Sequence, residues 1–165
     1  MIVYVLRHGV AEEIGPDGDD ASRRLTAAGR RKLRVAAAGM RRLGLHFDVI
    51  LTSPLARAVE TAAIVAEVIG DTPPPRELPA LAQGTPPAET VRALRPFVRY
   101  RHLVIVGHEP GLSGVVALLL TGSTTGLRLV LKKGGLVAVE VHDIRQPAGA
   151  ALRWMLTPRE LRRMR

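Results

Sequence analysis

Hydrophobic positions along this chain fall into short unbroken runs, separated by longer stretches with helical spacing. Ile2, Val3, Val5 and Leu6, with only Tyr4 among them, form the first run. No polar residue alternates with them, which predicts a strand buried on both faces. Residues 47–52, centred on Val49, Ile50 and Leu51, repeat the pattern, as do residues 102–106, with Leu103, Val104, Ile105 and Val106. Between the runs lie helical patterns. Thr26 is a good N-cap, Leu33, Ala36, Ala37, Met40 and Leu43 recur on one helical face, and Gly44 marks a stop. Ser53 as cap and Pro54 as first helical residue open a second helix that runs to Gly70. Thr85-Pro86 repeats that signal before Val91 and Leu94, and Pro96 breaks this third helix after Leu94 or Arg95. Pro110 opens a fourth, with Leu112, Val115, Val116, Leu119 and Leu120. The remainder reads as strands over 127–131, 136–141 and 150–156, then a basic tail, 159–165, of helical tendency. Strands that alternate with helices predict an α/β fold, a mostly parallel central sheet with helices on both faces, in one domain over residues 1–165.

Composition narrows the classes. Hydrophobic residues are 47% and charged residues 24% of 165, enough apolar surface for a sizeable core and against disorder. The absence of cysteine excludes disulfides, thiol catalysis and Cys-based zinc sites. No basic leader precedes the first strand and no apolar run reaches bilayer length, so a cytoplasmic protein is expected. The net charge of +9, much of it arginine, favours anionic partners. Arg30, Arg31, Lys32, Arg34, Arg41 and Arg42 read as a solvated helix face, and no aromatics interleave with them to stack on bases. Nucleic acid is therefore not the expected partner.

The chemistry gathers at strand ends. The first strand ends in Arg7-His8-Gly9 and the third in Gly107-His108. Ligands of open α/β sheets bind beyond the carboxyl ends of the strands. Arg57 falls in the first turn of the second helix, against the macrodipole, which suggests a reason other than helix stability. Glu60, one turn on, is expected to orient Arg57 by a salt bridge. Two imidazoles and two guanidiniums suit a phosphoryl group: arginines neutralise its oxygens and a neutral imidazole attacks phosphorus. No metal is required for this, and no clear carboxylate cluster for magnesium is present. Glu12 and Glu13 lie nearest His8 and are candidate general acids.

Arg7-His8-Gly9, the stretch from Ser53-Pro54-Leu55-Ala56-Arg57 through Thr61-Ala62, and Gly107-His108 resemble the three signatures of the histidine phosphatase superfamily, which includes the phosphoglycerate mutases. Leu25-Thr26-Ala27-Ala28-Gly29 matches its segment before the first helix, and the short span from Ile69 to Val104 resembles the SixA-type phosphohistidine phosphatases. The resemblance implies a phosphoglycerate mutase-like fold and a metal-independent, cofactor-free phosphatase. His8 would be the nucleophile, with Arg7, Arg57 and His108 around the phosphate and a phosphoenzyme that water hydrolyses. Larger family members carry a general-acid carboxylate after the second helix. Here Glu77 is the one acid of that region, at no obvious match. A phosphorylated imidazole needs less help to leave than an alkoxide, so the expected substrate is a protein phosphohistidine. The alternatives are a small-molecule phosphatase or mutase of the same fold, and a non-catalytic phosphate- or nucleic-acid-binding module.

Overall fold

A computed structural model describes residues 1–146 and 148–164. The elements run β1 (Ile2–Arg7), α1 (Ala27–Arg42), β2 (Val49–Thr52), α2 (Ala56–Ile69), β3 (Arg76–Glu77), α3 (Pro87–Ala93), β4 (His102–Gly107), α4 (Gly111–Thr121), β5 (Leu136–Glu140), β6 (Ala151–Leu156) and α5 (Pro158–Leu161). Among the described residues the strands form one six-stranded sheet in the order β3-β2-β4-β1-β5-β6. β1, β2, β3 and β4 are parallel, while β5 and β6 are antiparallel to their neighbours. The fold is thus α/β and mostly parallel, as the alternation predicts.

Strand alternation divides the core. Tyr4 and Leu6 of β1 pack with α1, α2 and α5 on one face of the sheet. Val3 and Val5 pack with α3 and α4 on the other. β1 and β4 are central, which is why their sequences carry uninterrupted apolar runs. Thr26 caps α1, its side chain accepting from Gly29 N at 2.8 Å. The third helix ends at Ala93 and a 3₁₀ turn over Arg95–Phe97 follows, the expected effect of Pro96. Among the described residues no helix is long and apolar enough to cross a membrane.

Three local expectations need correction. Residues 127–131 are not a strand, because β5 and β6 already occupy that side of β1 and the segment pairs with no strand of the sheet among the described residues. Ser53 is not the cap of α2, which starts at Ala56 after Leu55. In the tail only Pro158–Leu161 is helical, held by a Thr157 and Glu160 capping box, and Arg165 lies outside the described residues.

Candidate active site

The register of the central strands builds the site. Arg7 of β1 pairs with Gly107 of β4, and Thr52 of β2 pairs with Val106. The next residue on each strand is therefore His8, His108 and Ser53, and parallel neighbours stand about 4.8 Å apart. Backbone bonds continue the ladder one step further: His8 N donates to Gly107 O at 3.1 Å and Ser53 N to Val106 O at 2.9 Å. The rings of His8 and His108 lie 5.0 Å apart between centroids. Two residues a hundred positions apart in the chain meet because their strands are neighbours.

His8 is buried, and its Nδ1 lies 2.7 Å from Gly9 O. A carbonyl only accepts, so Nδ1 carries the proton and Nε2 keeps its lone pair. Burial, reinforced by His108, Arg57 and Arg7, holds the imidazole at about 3 in spite of the Gly9 carbonyl. It is neutral at physiological pH. His108 is also buried and is lowered to about 4, by burial first and Arg57 next. Its Nε2 lies 2.8 Å from Ser53 Oγ. That hydroxyl accepts from Leu55 N at 3.3 Å, and His108 Nε2 is the one acceptor among the described residues within reach of its buried proton, so the hydroxyl is assigned as donor to the ring. Ser53 thereby places the His108 proton on Nδ1. That Nδ1 is buried and has no partner among the described residues, as is Arg7 Nε. Two orphaned buried donors beside an unprotonated nitrogen describe a place for an anion.

Arg57 is 2% exposed. Its fork donates to Asp20 O at 2.6 Å, Asp20 Oδ2 at 2.8 Å and Gln83 Oε1 at 2.9 Å. The salt bridge expected with Glu60 is not made. Glu60 faces α1 instead, where it accepts from Leu25 N at 2.8 Å and pairs with Arg30. This fixes the entry to α1 while Arg57 turns to the rim. Hydrogen bonds from Arg23 and Arg57 hold Asp20 below the usual carboxylate range, so it stays charged and orients the guanidinium. Arg7 donates from Nη1 to Leu131 O at 2.9 Å. Thr61 accepts from Gly9 N at 3.0 Å and donates to Arg57 O at 2.7 Å, tying the loop after β1 to α2.

The candidate acids lie elsewhere. Glu12 and Glu13 line an open groove with Arg24 and Arg30, and Glu77 is exposed on the edge strand β3. None of the three bonds to His8, Arg57 or His108 among the described residues. Sequence reading missed Ser53, Asp20 and Gln83 as parts of the site. Ser53 was legible, since it follows β2 as each histidine follows its own strand. Asp20 and Gln83 carry no local signal. Among the described residues no group of three or more His, Asp or Glu is placed to hold a metal.

Comparison with known proteins decides the family: residues 3–83 match the model of the histidine phosphatase superfamily (branch 1). The chain belongs to that superfamily. It is a phosphohydrolase of this group, SixA-like in structure. The protein histidine phosphatase SixA, solved with tungstate, is 22% identical with a TM-score of 0.85, covering 98% of this chain and 99% of that one. A putative phosphohistidine phosphatase SixA from Agrobacterium tumefaciens is 19% identical with a TM-score of 0.78, covering 95% and 97%. An uncharacterized protein of Picosynechococcus sp. is 35% identical over 146 residues, 84% of each chain. At such low identity the two structures establish fold, a phosphoglycerate mutase-like one, and the family model adds the chemistry.

Proposed function

We propose that this histidine phosphatase removes phosphate from histidine on a protein partner, through a phosphoenzyme on His8. The observation that carries the reading is the bond between His8 Nδ1 and Gly9 O, which leaves Nε2 unprotonated on a ring whose centroid is 5.0 Å from that of His108. His8 Nε2 bonds to phosphorus in line as the phosphorus–nitrogen bond of the substrate breaks. Arg7, Arg57 and the Nδ1–H of His108 hold the phosphoryl oxygens as charge spreads over them. The released imidazole takes its proton from solvent. Water then attacks phosphorus, the bond to His8 breaks, and inorganic phosphate leaves.

Substrate class is argued from the acids. Asp20 is held ionised by two arginines and serves as orienter, not proton donor. Glu12, Glu13 and Glu77 form no hydrogen bond to either imidazole among the described residues, and Glu109, next to His108, accepts from Ser113 Oγ at 2.7 Å. A site without a protonated acid in place favours a leaving group that departs readily, as imidazole does and an alkoxide does not. Trapping of labelled phosphate on His8, with none on His8→Ala, tests the phosphoenzyme; a stable fold that still turns over without His8 rejects it. A panel of phosphohistidine protein against sugar phosphates tests the substrate, and faster turnover of sugar phosphates would transfer the assignment to a small-molecule phosphatase. Arg57→Ala should raise the barrier by about 2–4 kcal/mol.

A further inference from the structure

We propose that residues 127–131 form a vacant strand edge beside the phosphate pocket, and that an extended acidic segment of the phosphorylated protein pairs with it. The proposal rests on the protein-phosphohistidine reading and adds how the substrate chain is held. The segment reads Leu-Arg-Leu-Val-Leu. Its burial alternates: Leu127 and Leu129 are half-buried and Leu131 buried, while Arg128 is exposed and Val130 is 68% exposed. Its carbonyls alternate too. Leu129 O accepts from Ser113 Oγ at 3.3 Å and Leu131 O accepts from Arg7 Nη1 at 2.9 Å. Both features repeat at every second residue, as in an extended strand.

In a strand the N–H and C=O of one residue leave on the same side, and those of the next residue on the other. With Leu129 and Leu131 turned inward, the backbone groups of Arg128 and Val130 face outward. No N–H from Leu127 to Leu131 donates to a backbone group of the described residues, those of Arg128 and Val130 included, and it is the carbonyls of Leu129 and Leu131 that mark the inner side. The segment has the alternation of a strand and lacks only a neighbour. An extended peptide supplies one by strand addition.

Charge and position select the occupant. Arg128, Lys132 and Lys133 are exposed and form no ion pair among the described residues, so the complementary chain is acidic. A hollow of about 470 Å³ between Pro86, Pro87, Pro110, Leu127 and Leu129 lies alongside and has room for an apolar side chain. Leu131 O holds the Arg7 guanidinium from the inner side of the segment, so a chain paired with Arg128 and Val130 on the outer side runs alongside the pocket at one strand spacing, ~4.8 Å, from the segment that borders it.

The test uses an acidic peptide of about ten residues carrying a non-hydrolysable phosphohistidine analogue, with inorganic phosphate as control. Amide exchange at Arg128 and Val130 should slow with the peptide and not with phosphate alone. In kinetics, Val130→Pro deletes an outward N–H and should raise KM for a phosphohistidine peptide about tenfold, leaving free phosphohistidine within about twofold. Arg128→Glu keeps the N–H and should weaken acidic peptides alone, an effect that salt erases. Equal kcat/KM for peptide and free phosphohistidine, unchanged by both variants, overturns the proposal. Protection that grows with protein concentration alone would assign the edge to a second copy and overturn it as well. A chain that hydrolysed neither substrate would sink the phosphatase reading, while exchange with the inert peptide would still decide the edge.

Discussion

Ser53 shows how one hydroxyl, two strands from the nucleophile, sets the chemistry of the histidine on the strand between. It is fully buried, receives Leu55 N–H, and turns its own proton toward His108 Nε2. The result is a neutral imidazole with its remaining proton on Nδ1, the atom free to meet a phosphoryl oxygen. Removing the hydroxyl removes the reason for that tautomer, so Ser53→Ala should lower kcat by about tenfold, the scale of one misdirected hydrogen bond near 1.4 kcal/mol. Ring ¹⁵N shifts of His108 should change with it, and Ser53→Thr, which keeps the hydroxyl, should restore both. Unchanged shifts in the alanine variant would mean that Ser53 only fills space. The same residue marks the limit of local reading. Serine ahead of proline is a strong cap signal, yet here the side chain serves the neighbouring strand and the helix starts later. Asp20 was illegible for a different reason: its partner Arg57 is brought to it by packing across the sheet, and nothing in an acidic loop singles out one carboxylate from five.

Elements hold these residues in place by close backbone approach, and two glycines of α1 mark where. A Cβ on Gly29 would stand 2.2 Å from Val10 O, so α1 lies directly on the loop that follows Arg7-His8-Gly9. A Cβ on Gly39 would stand 1.9 Å from Leu161 O, where α5 docks. Neither neighbour is the free end of a side chain, so the backbone itself must move. Gly29→Ala should cost about 1–3 kcal/mol of stability and also lower kcat, because the displaced loop carries His8. Gly39→Ala should cost stability with a smaller loss of kcat, since the backbone it displaces is that of Leu161 in α5 and not the loop that follows His8. Denaturant titration together with kcat on both variants separates the two effects, and equal loss of activity would contradict the local argument. β1, β2, β4 and α1 were legible because each is buried by sequence-local rules: an unbroken apolar run for a central strand, a capped periodic face for a helix. Residues 127–131 satisfy the strand rules as well. What they lack is a vacant partner, and whether one exists is a property of sheet order that no window of residues encodes.

At the scale of the whole molecule, the sheet order makes the site and also fixes how its stability responds to acid. Inserting β4 between β1 and β2 sets Ser53, His108 and His8 in a row at the carboxyl ends of three adjacent parallel strands. The fold must then bury two imidazoles beside two guanidiniums, and it does so by keeping both rings neutral. Both titrate near 6.5 when the chain is unfolded, and at about 3 for His8 and about 4 for His108 when it is folded. Between these limits the unfolded chain binds protons that the native one refuses. Stability therefore rises with pH from about 4 to 6.5 and levels off above, the sign expected when the unfolded state holds more protons. His102, lowered by burial and by His46, adds in the same direction. Thermal unfolding followed from pH 7 down to 4.5 should show a falling Tm and an uptake of about two protons near pH 5 beyond what His102 supplies. The double variant His8→Asn, His108→Asn should flatten that dependence without changing the fold. Inorganic phosphate should raise Tm in the parent and leave the double variant unmoved, because the ligand that the two rings and two guanidiniums await is the one that lets them keep their company in the folded state. A Tm independent of pH across this window would mean that folding leaves both rings titrating near 6.5, so that His8 takes up a proton and loses its Nε2 lone pair as pH falls through that value.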